Sequence, residues 1–151
     1  MARTNLPVTE LDPKSPTLNS AGTAIDATNG MNIALASSAI PAKAGADRVI
    51  LYVQNTFAGT KTVTVKAGAG VAAPSNFGSG YPIPSQEQGF GDLTTGNLTA
   101  TTGTAFIGPF EASRYIQTDG SINVDFAASM TGTIWAVRLP RYVSGSSVTG
   151  G

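Results

Sequence analysis

Short apolar runs with a period of two dominate the middle of the chain. Met31, Ile33 and Leu35 alternate with small or polar residues, and Val63 and Val65 alternate with threonine and lysine. Successive side chains of a β-strand point to opposite faces, so alternation of this kind is typical of a half-buried strand. The sequence therefore predicts a strand in each of these two segments.

Further segments have the same character. Residues 48–54 (RVILYVQ) are a nearly continuous run of β-branched and aromatic residues, which predicts a central strand buried on both faces. Asp119-Gly120 is a strong two-residue hairpin signal between two such segments. The remaining predicted strands are residues 93–101, 104–107, 114–118, 121–126 and 132–139.

About eight short strands, with Gly and Pro between them and no convincing helix, predict an all-β fold. A single β-sandwich of jelly-roll-like or immunoglobulin-like type fits this pattern, and the sequence does not choose between the two connectivities. We expect a helix content below about 10%, against a usual third. The predicted core consists of Ile50, one of Leu51 and Tyr52, Val63, Val65, Ile122, Val124, Phe126 and Ile134.

Residues 1–28 are predicted to be an extended N-terminal arm in front of a β-sandwich domain at residues 29–140. Pro7, Pro13 and Pro16 exclude a helix there, because proline removes a backbone donor and restrains the residue before it. The arm is either a disordered leader or a segment that docks on a partner. In both cases we expect the β-domain to fold without it.

Residues 67–91 are the longest irregular stretch of the domain, and residues 141–151 are a Ser/Gly-rich tail. Loops longer than about 15 residues are uncommon and are usually functional or disordered. Large apolar side chains in the arm and the loop would form an exposed patch unless a partner covers them. The predicted partner contacts are Leu6, Val8, Leu11, Phe77, Tyr81, Phe90 and Tyr142.

Charge and composition exclude several classes of function. Only 12% of the residues are charged, and nine basic residues balance nine acidic ones, so no electrostatic footprint for nucleic acid is present. The longest apolar run, residues 49–53, is far too short to span a bilayer. The N-terminus has no apolar signal-peptide region, so we expect synthesis in a cytoplasm. Without His or Cys, the chain cannot form a Ser-His-Asp or Cys-His site, and zinc chemistry is nearly excluded.

No motif indicates an enzyme, a cofactor or a metal. Gly68 to Ala73 match a loose G-x-G-x-x-A pattern with Asp92 further on, but the prolines and glycines that follow forbid the helix that a dinucleotide site requires. Asp119 is best explained as a turn residue and Asp125 as an outward strand residue. Trp135 is interpreted as a core or interface residue.

Arg48, Arg114 and Arg138 each lie inside a predicted strand. Cations on the exposed face of a strand discourage edge pairing, and this is the role that we expect for them.

Three segments of the chain resemble small structural proteins of tailed bacteriophage heads. They are RVILYVQNTFAGTKTVTVKAG, FIGPFEASRYIQTDGSINVDF and TGTIWAVRLP, and they span residues 46–140. The shared features are a V-x-N hairpin that leads into KTVTV, an IGPF-x₃-RY corner, a DG hairpin and a final G-T-I-x-A-x-R-L strand. These features are structural rather than catalytic.

The resemblance implies a capsid decoration protein, which binds the outer surface of the assembled shell and bridges capsomers. It further implies the major capsid protein as partner, a homo-oligomer with a trimer favoured, and a location on the virion exterior after synthesis in the host cytoplasm. The alternative is a tail or head-fibre β-domain that binds a host-surface glycan. Neither alternative involves catalysis, nucleic acid or a membrane.

Overall fold

The computed structural model describes residues 2–12, 14, 21–35, 45–68 and 91–140, and these residues form an all-β sandwich of two mixed sheets. The predicted fold class is confirmed. The described helical segments are a 3₁₀ turn (Ala46–Arg48) and a single α-helical turn, α1 (Ala112–Tyr115). The described strands are β1 (Thr4–Asn5), β2 (Val8–Glu10), β3 (Thr23–Ala24), β4 (Met31–Ala34), β5 (Val49–Asn55), β6 (Val63–Val65), β7 (Leu93–Thr94), β8 (Thr104–Ile107), β9 (Ser121–Phe126) and β10 (Gly132–Arg138).

Strands β3 to β10 pair as one long folded hairpin. Antiparallel pairs join β3 to β10, β4 to β9, β5 to β8 and β6 to β7. Rolling up this hairpin adds the pairs β5–β10 and β6–β9 and divides the strands between two sheets. Nested pairing of this kind is a jelly roll. The structure therefore selects the jelly-roll alternative over the immunoglobulin-like one.

The two sheets are named here after their central strands. The β9 sheet has the order β1-β4-β9-β6-β7, and the β10 sheet has the order β2-β10-β5-β8, with β3 also paired to β10. The core lies between them, and the inward positions of β4, β6 and β9 are almost fully buried. Of the predicted core, the structure confirms Leu51, Val63, Val65, Ile122, Val124, Phe126 and Ile134.

Strand β5 differs from its prediction. It is not buried on both faces: Val49, Leu51 and Val53 point inward with 0% exposure, whereas Ile50 and Tyr52 are half-buried on the outer face. Ile50 was therefore wrongly predicted as core. The register signal lies at the ends of the run: Arg48 and Gln54 share the alternation of Ile50 and Tyr52, whereas the inward set is wholly apolar.

The N-terminal segment is part of the sandwich. β1 runs parallel to β4, and β2 runs parallel to β10, so a few residues bridge the edges of both sheets. Between them Leu6 is 1% exposed, and its amide donates to the carbonyl of Asn32 (N···O 2.8 Å). The prediction of a separate arm over residues 1–28 is corrected for residues 4–10 and for Thr23–Ala24, which pair with β10 as β3. With Leu6 in the core, we no longer expect the domain to keep its stability without this segment.

Arg138 is also a correction. It was expected on an exposed face, but its side chain points inward from β10 and is 1% exposed. Its guanidinium lies 2.8 Å from the carboxylate of Glu10 on β2 and donates to the carbonyl of Leu35. A buried charge needs a counter-charge and hydrogen bonds; Glu10 supplies the counter-charge and the Leu35 carbonyl accepts one hydrogen bond.

Residues 114–118 are not a strand. Residues 112–115 form the turn α1, and only Ile116 makes a bridge, to Ile122 of β9. The Asp119-Gly120 turn is confirmed: Gly120 has φ +82°, and the Asp119 carboxylate accepts hydrogen bonds from the hydroxyl (2.7 Å) and amide (3.0 Å) of Ser121. The strand predicted for residues 114–118 is wrong because a β-turn at Asp119-Gly120 can form without a strand on each side of it.

Candidate binding surface

Three aromatic side chains form a row across the outer face of the β10 sheet. Tyr52 on β5 is in register with Phe106 on β8 and with Trp135 on β10. The Tyr52 ring centroid lies 4.9 Å from that of Phe106 and 5.2 Å from that of Trp135, with interplanar angles of 39° and 42°. Cross-strand aromatic pairs at this spacing stabilise a sheet and also present a continuous apolar ridge.

The row is unequally covered. Phe106 is 77% exposed, the largest exposure given for a large apolar side chain in the described part of the chain. Trp135 is half-buried, because the chain before β3 passes over its indole at Gly22. A Cβ at Gly22 would lie 2.6 Å from the ring, so only glycine allows this approach.

The outward residues of the three strands that carry the row have no charge. We define the aromatic face as the outward residues of β8, β5 and β10, which are polar-uncharged, aliphatic or aromatic. They are Thr104, Phe106, Ile50, Tyr52, Gln54, Thr133, Trp135 and Val137. A surface of this composition resembles the desolvated centre of a protein interface more than its rim.

An open groove adjoins the aromatic face at the edge of the sandwich. It has a volume of about 500 Å³ and lies between β7 of one sheet and β8 of the other. Phe106 belongs to both the groove and the aromatic face. The lining is uncharged throughout and consists of Leu93, Thr94, Thr95, Gly96, Asn97, Leu98, Ala105, Phe106, Ile107 and Gly108.

The carboxylates with shifted pKa values lie elsewhere and serve local structure. Hydrogen bonds from the Thr4 hydroxyl and from Asn29 lower the pKa of Asp26 to about 2. Burial acts to raise the pKa of Asp92, but hydrogen bonds from Lys66 and from the Ala67 amide hold it below the ordinary 3.8. These shifts have structural causes.

Three of the residues predicted as partner contacts lie in the described part of the chain. Leu6 is in the core and is withdrawn from that list, while Val8 and Leu11 are half-buried beside β10. Phe77, Tyr81, Phe90 and Tyr142 lie outside the described residues. So does most of the G-x-G-x-x-A stretch; its first residue, Gly68, packs on the backbone of Ile116, where a Cβ would lie 2.3 Å from the carbonyl oxygen.

Sequence reasoning missed the aromatic face. The sequence predicts Trp135 in a core or an interface and Tyr52 as a possible core residue, counted with the other tyrosines as a candidate for sugar binding, and it does not single out Phe106. The available signal was the alternation within TAFI, which sets Phe106 on the face opposite to Ala105 and Ile107. An apolar residue on the polar side of a short strand is the mark of an exposed contact residue.

Two kinds of site are absent from the described part of the chain. It contains no group of His, Cys, Asp or Glu side chains that could hold a metal ion. Across the same residues, no helical segment combines the length and hydropathy needed to cross a bilayer.

Comparison of the chain with protein-family models, with curated proteins and with solved structures gives no match.

Proposed function

We propose that this protein is a structural component of a tailed-phage virion, which binds the outer surface of the capsid and stabilises it by bridging capsomers. In this proposal the major capsid protein is the partner and the aromatic face is the contact surface. The protein is not an enzyme and needs no cofactor. Assembly as a trimer stays a prediction that derives from the sequence resemblance.

The observation that carries the proposal is the exposed aromatic row on an uncharged sheet face. Burying a large apolar side chain contributes about 1.5–3 kcal/mol before the costs of ordering and of association are subtracted. Phe106 has most of that contribution still available, because it is 77% exposed. Aromatic residues surrounded by neutral contacts are the usual energetic centre of a protein interface.

The fold supports the same proposal. Jelly rolls occur in viral capsid proteins, in lectins and in cupins. Cupin-type metal chemistry would need a ligand cluster, which the described residues lack. Fold alone does not determine function, so this is supporting analogy.

The alternative, a fibre domain that binds a host glycan, is favoured by the aromatic side chains and by the Thr and Asn residues of the groove. The ring geometry argues against it. A sugar stacks on a free ring face, whereas Tyr52 packs against both of its neighbours at angles near 40°. Such rings form a ridge suited to a complementary protein surface.

The decisive experiment measures binding to empty shells assembled from the major capsid protein of the same genome. Tyr52→Ala removes the centre of the row on β5, and Asn123→Ala is its matched control on the outer face of β9. We expect the Tyr52 variant to bind at least tenfold more weakly, as removal of an aromatic hot spot does, and the Asn123 variant to bind as the unaltered protein.

Failure of the unaltered protein to sediment with shells would overturn the proposal. Equal loss in both variants would assign binding to some surface other than the aromatic face. A glycan that binds the protein and quenches Trp135, the sole tryptophan, would favour the fibre alternative instead.

A further inference from the structure

Strand β8 is the least protected sheet edge in the described residues. Proteins usually guard such edges by making them short or by placing charges or proline on them. β1, β3 and β7 are each two residues long, and β2 follows Pro7 and ends at Glu10. β8 is four residues long, carries no charge and ends its sheet.

The free backbone groups of β8 are identified by its pairing with β5. The amide of Asn55 donates to the carbonyl of Gly103 (N···O 2.7 Å), which marks 55 and 103 as a hydrogen-bonded pair. Hydrogen-bonded pairs alternate along an antiparallel ladder, so Ala105 and Ile107 also bond to β5. The amides and carbonyls of Thr104 and Phe106 therefore point away from the sheet, toward the open edge.

The groove gives this edge a place for side chains. A strand added to β8 would direct alternate side chains to its two faces. One set would enter the groove of about 500 Å³, and the other would lie beside Phe106 on the aromatic face. Neither surface carries a charge, so the added segment must be apolar or uncharged where it makes contact.

Area decides against a second copy of this chain as the occupant. Pairing of β8 with its own copy would align only four residues, about 13 Å of strand. A stable interface buries about 800 Å² on each partner, far more than such a pair provides. A longer extended segment that continues past β8 along residues 93–98 buries more.

We infer that β8 accepts an extended, uncharged segment of the shell protein as an additional strand of the β10 sheet. This inference rests on the proposed function, and it specifies the manner of binding. Main-chain hydrogen bonds to Thr104 and Phe106 supply affinity, and the groove selects the side chains of the segment. The segment of the partner thereby becomes the edge strand of the β10 sheet.

Substitutions at Thr104 separate the backbone contribution from that of the side chain. Thr104→Pro removes the outward amide at the first residue of the strand, where proline is tolerated, while Thr104→Val keeps the amide and the branched shape. We expect the proline variant to bind shells at least tenfold more weakly and the valine variant to bind normally. If the proline variant melts at a lower temperature than the unaltered protein, Thr104→Lys replaces it, because lysine guards sheet edges against pairing.

Amide hydrogen exchange gives a direct readout on the unaltered protein. Exchange at Thr104 and Phe106 should slow at least tenfold on binding to shells. Normal shell binding by the proline and lysine variants, with unchanged exchange at these two amides, overturns strand addition and leaves the proposed function standing. If the free protein self-associates and the proline variant does not, the occupant of the β8 edge is a second copy of this chain, and the inference is overturned. An unaltered protein that does not bind shells overturns both proposals.

Discussion

The two outer faces of the sandwich are built on the same strand architecture and differ in chemistry. The outward residues of the β9 sheet, here the polar face, include hydroxyl, amide and charged groups. Asp125 pairs with Arg3 at 2.5 Å, and Lys66 pairs with Asp92. The aromatic face has no charged residue and an exposed phenyl ring. The outward side chains of the polar face are Asn32, Ala34, Thr64, Lys66, Thr94, Asn123 and Asp125.

This difference indicates which of the two faces is suited to contact with solvent. On the polar face Thr64 and Thr94 hydrogen-bond to one another across two strands (Oγ1···Oγ1 2.9 Å), and the charged side chains named above are paired. On the aromatic face Tyr52 and Trp135 cover one another only in part, and Phe106 stays exposed. An apolar face that the rest of the protein covers only in part gains the most stability from a bound partner, since hydrophobic stabilisation scales with the area removed from water.

The largest expected effect tests which side of β5 faces out. Leu51→Ala should lower the free energy of unfolding by about 2–5 kcal/mol, because it leaves a cavity in the core. Ile50→Ala, one residue away and half-buried, should cost about 1 kcal/mol. Urea denaturation of both variants measures the difference. A larger loss for Ile50 would reverse the two faces and remove the aromatic face.

The sequence predicts the inner faces well and the outer faces poorly, and β5 shows why. Where small polar residues alternate with valine, as in β6, the pattern determines which residues are inward. In RVILYVQ the middle of the run is apolar in both alternate sets, and only its polar ends, Arg48 and Gln54, mark the set of Tyr52 as the outer one. The parallel pairing of β1 and β2 has no such signal, because it depends on distant strands rather than local pattern.

An intermediate effect is expected at the one charge of β10. Arg138 turns inward, which keeps the aromatic face neutral, and it pairs with Glu10, whose side chain is 50% exposed. Glu10→Gln leaves a buried cation without a counter-charge and should cost about 1–3 kcal/mol, less than for a fully buried pair because Glu10 is partly solvated. Thermal unfolding at neutral pH measures the loss.

The matched control is the ion pair of the polar face. Asp125→Asn breaks the ion pair with Arg3. The side chains of Asp125 and Arg3 are 40% and 26% exposed, so the free energy of unfolding should fall by only about 0–1 kcal/mol. Equal losses in the Glu10 and Asp125 variants would mean that Arg138 is hydrated in solution. The inward position of Arg138 would then no longer explain why the aromatic face is neutral.

The smallest expected effect is a response to acid confined to the β9 sheet. Asp26 binds the Thr4 hydroxyl at 2.7 Å beside β1, and Asp92 binds the Ala67 amide at 2.7 Å beside β6. The pKa of each carboxylate is lower in the folded state than its ordinary 3.8, so each contributes stability that is complete above about pH 4. That contribution is lost as the pH falls toward 2, the pKa of Asp26.

The aromatic face has no carboxylate, and the Glu10→Gln variant already lacks the ion pair of Arg138, so in that variant the two faces should separate in an acid titration. Between pH 4 and pH 2, amide exchange should quicken at the outer strands β1 and β7 while the emission of Trp135 stays constant. Thr4→Val removes the largest cause of the lowered pKa of Asp26, so in that variant the acid-dependent loss at β1 should be smaller and should be complete at a higher pH. Simultaneous change of the Trp135 emission and the β1 amides would show that acid unfolds the sandwich as one unit. In that case the carboxylates of the polar face would hold both sheets together rather than their own sheet alone.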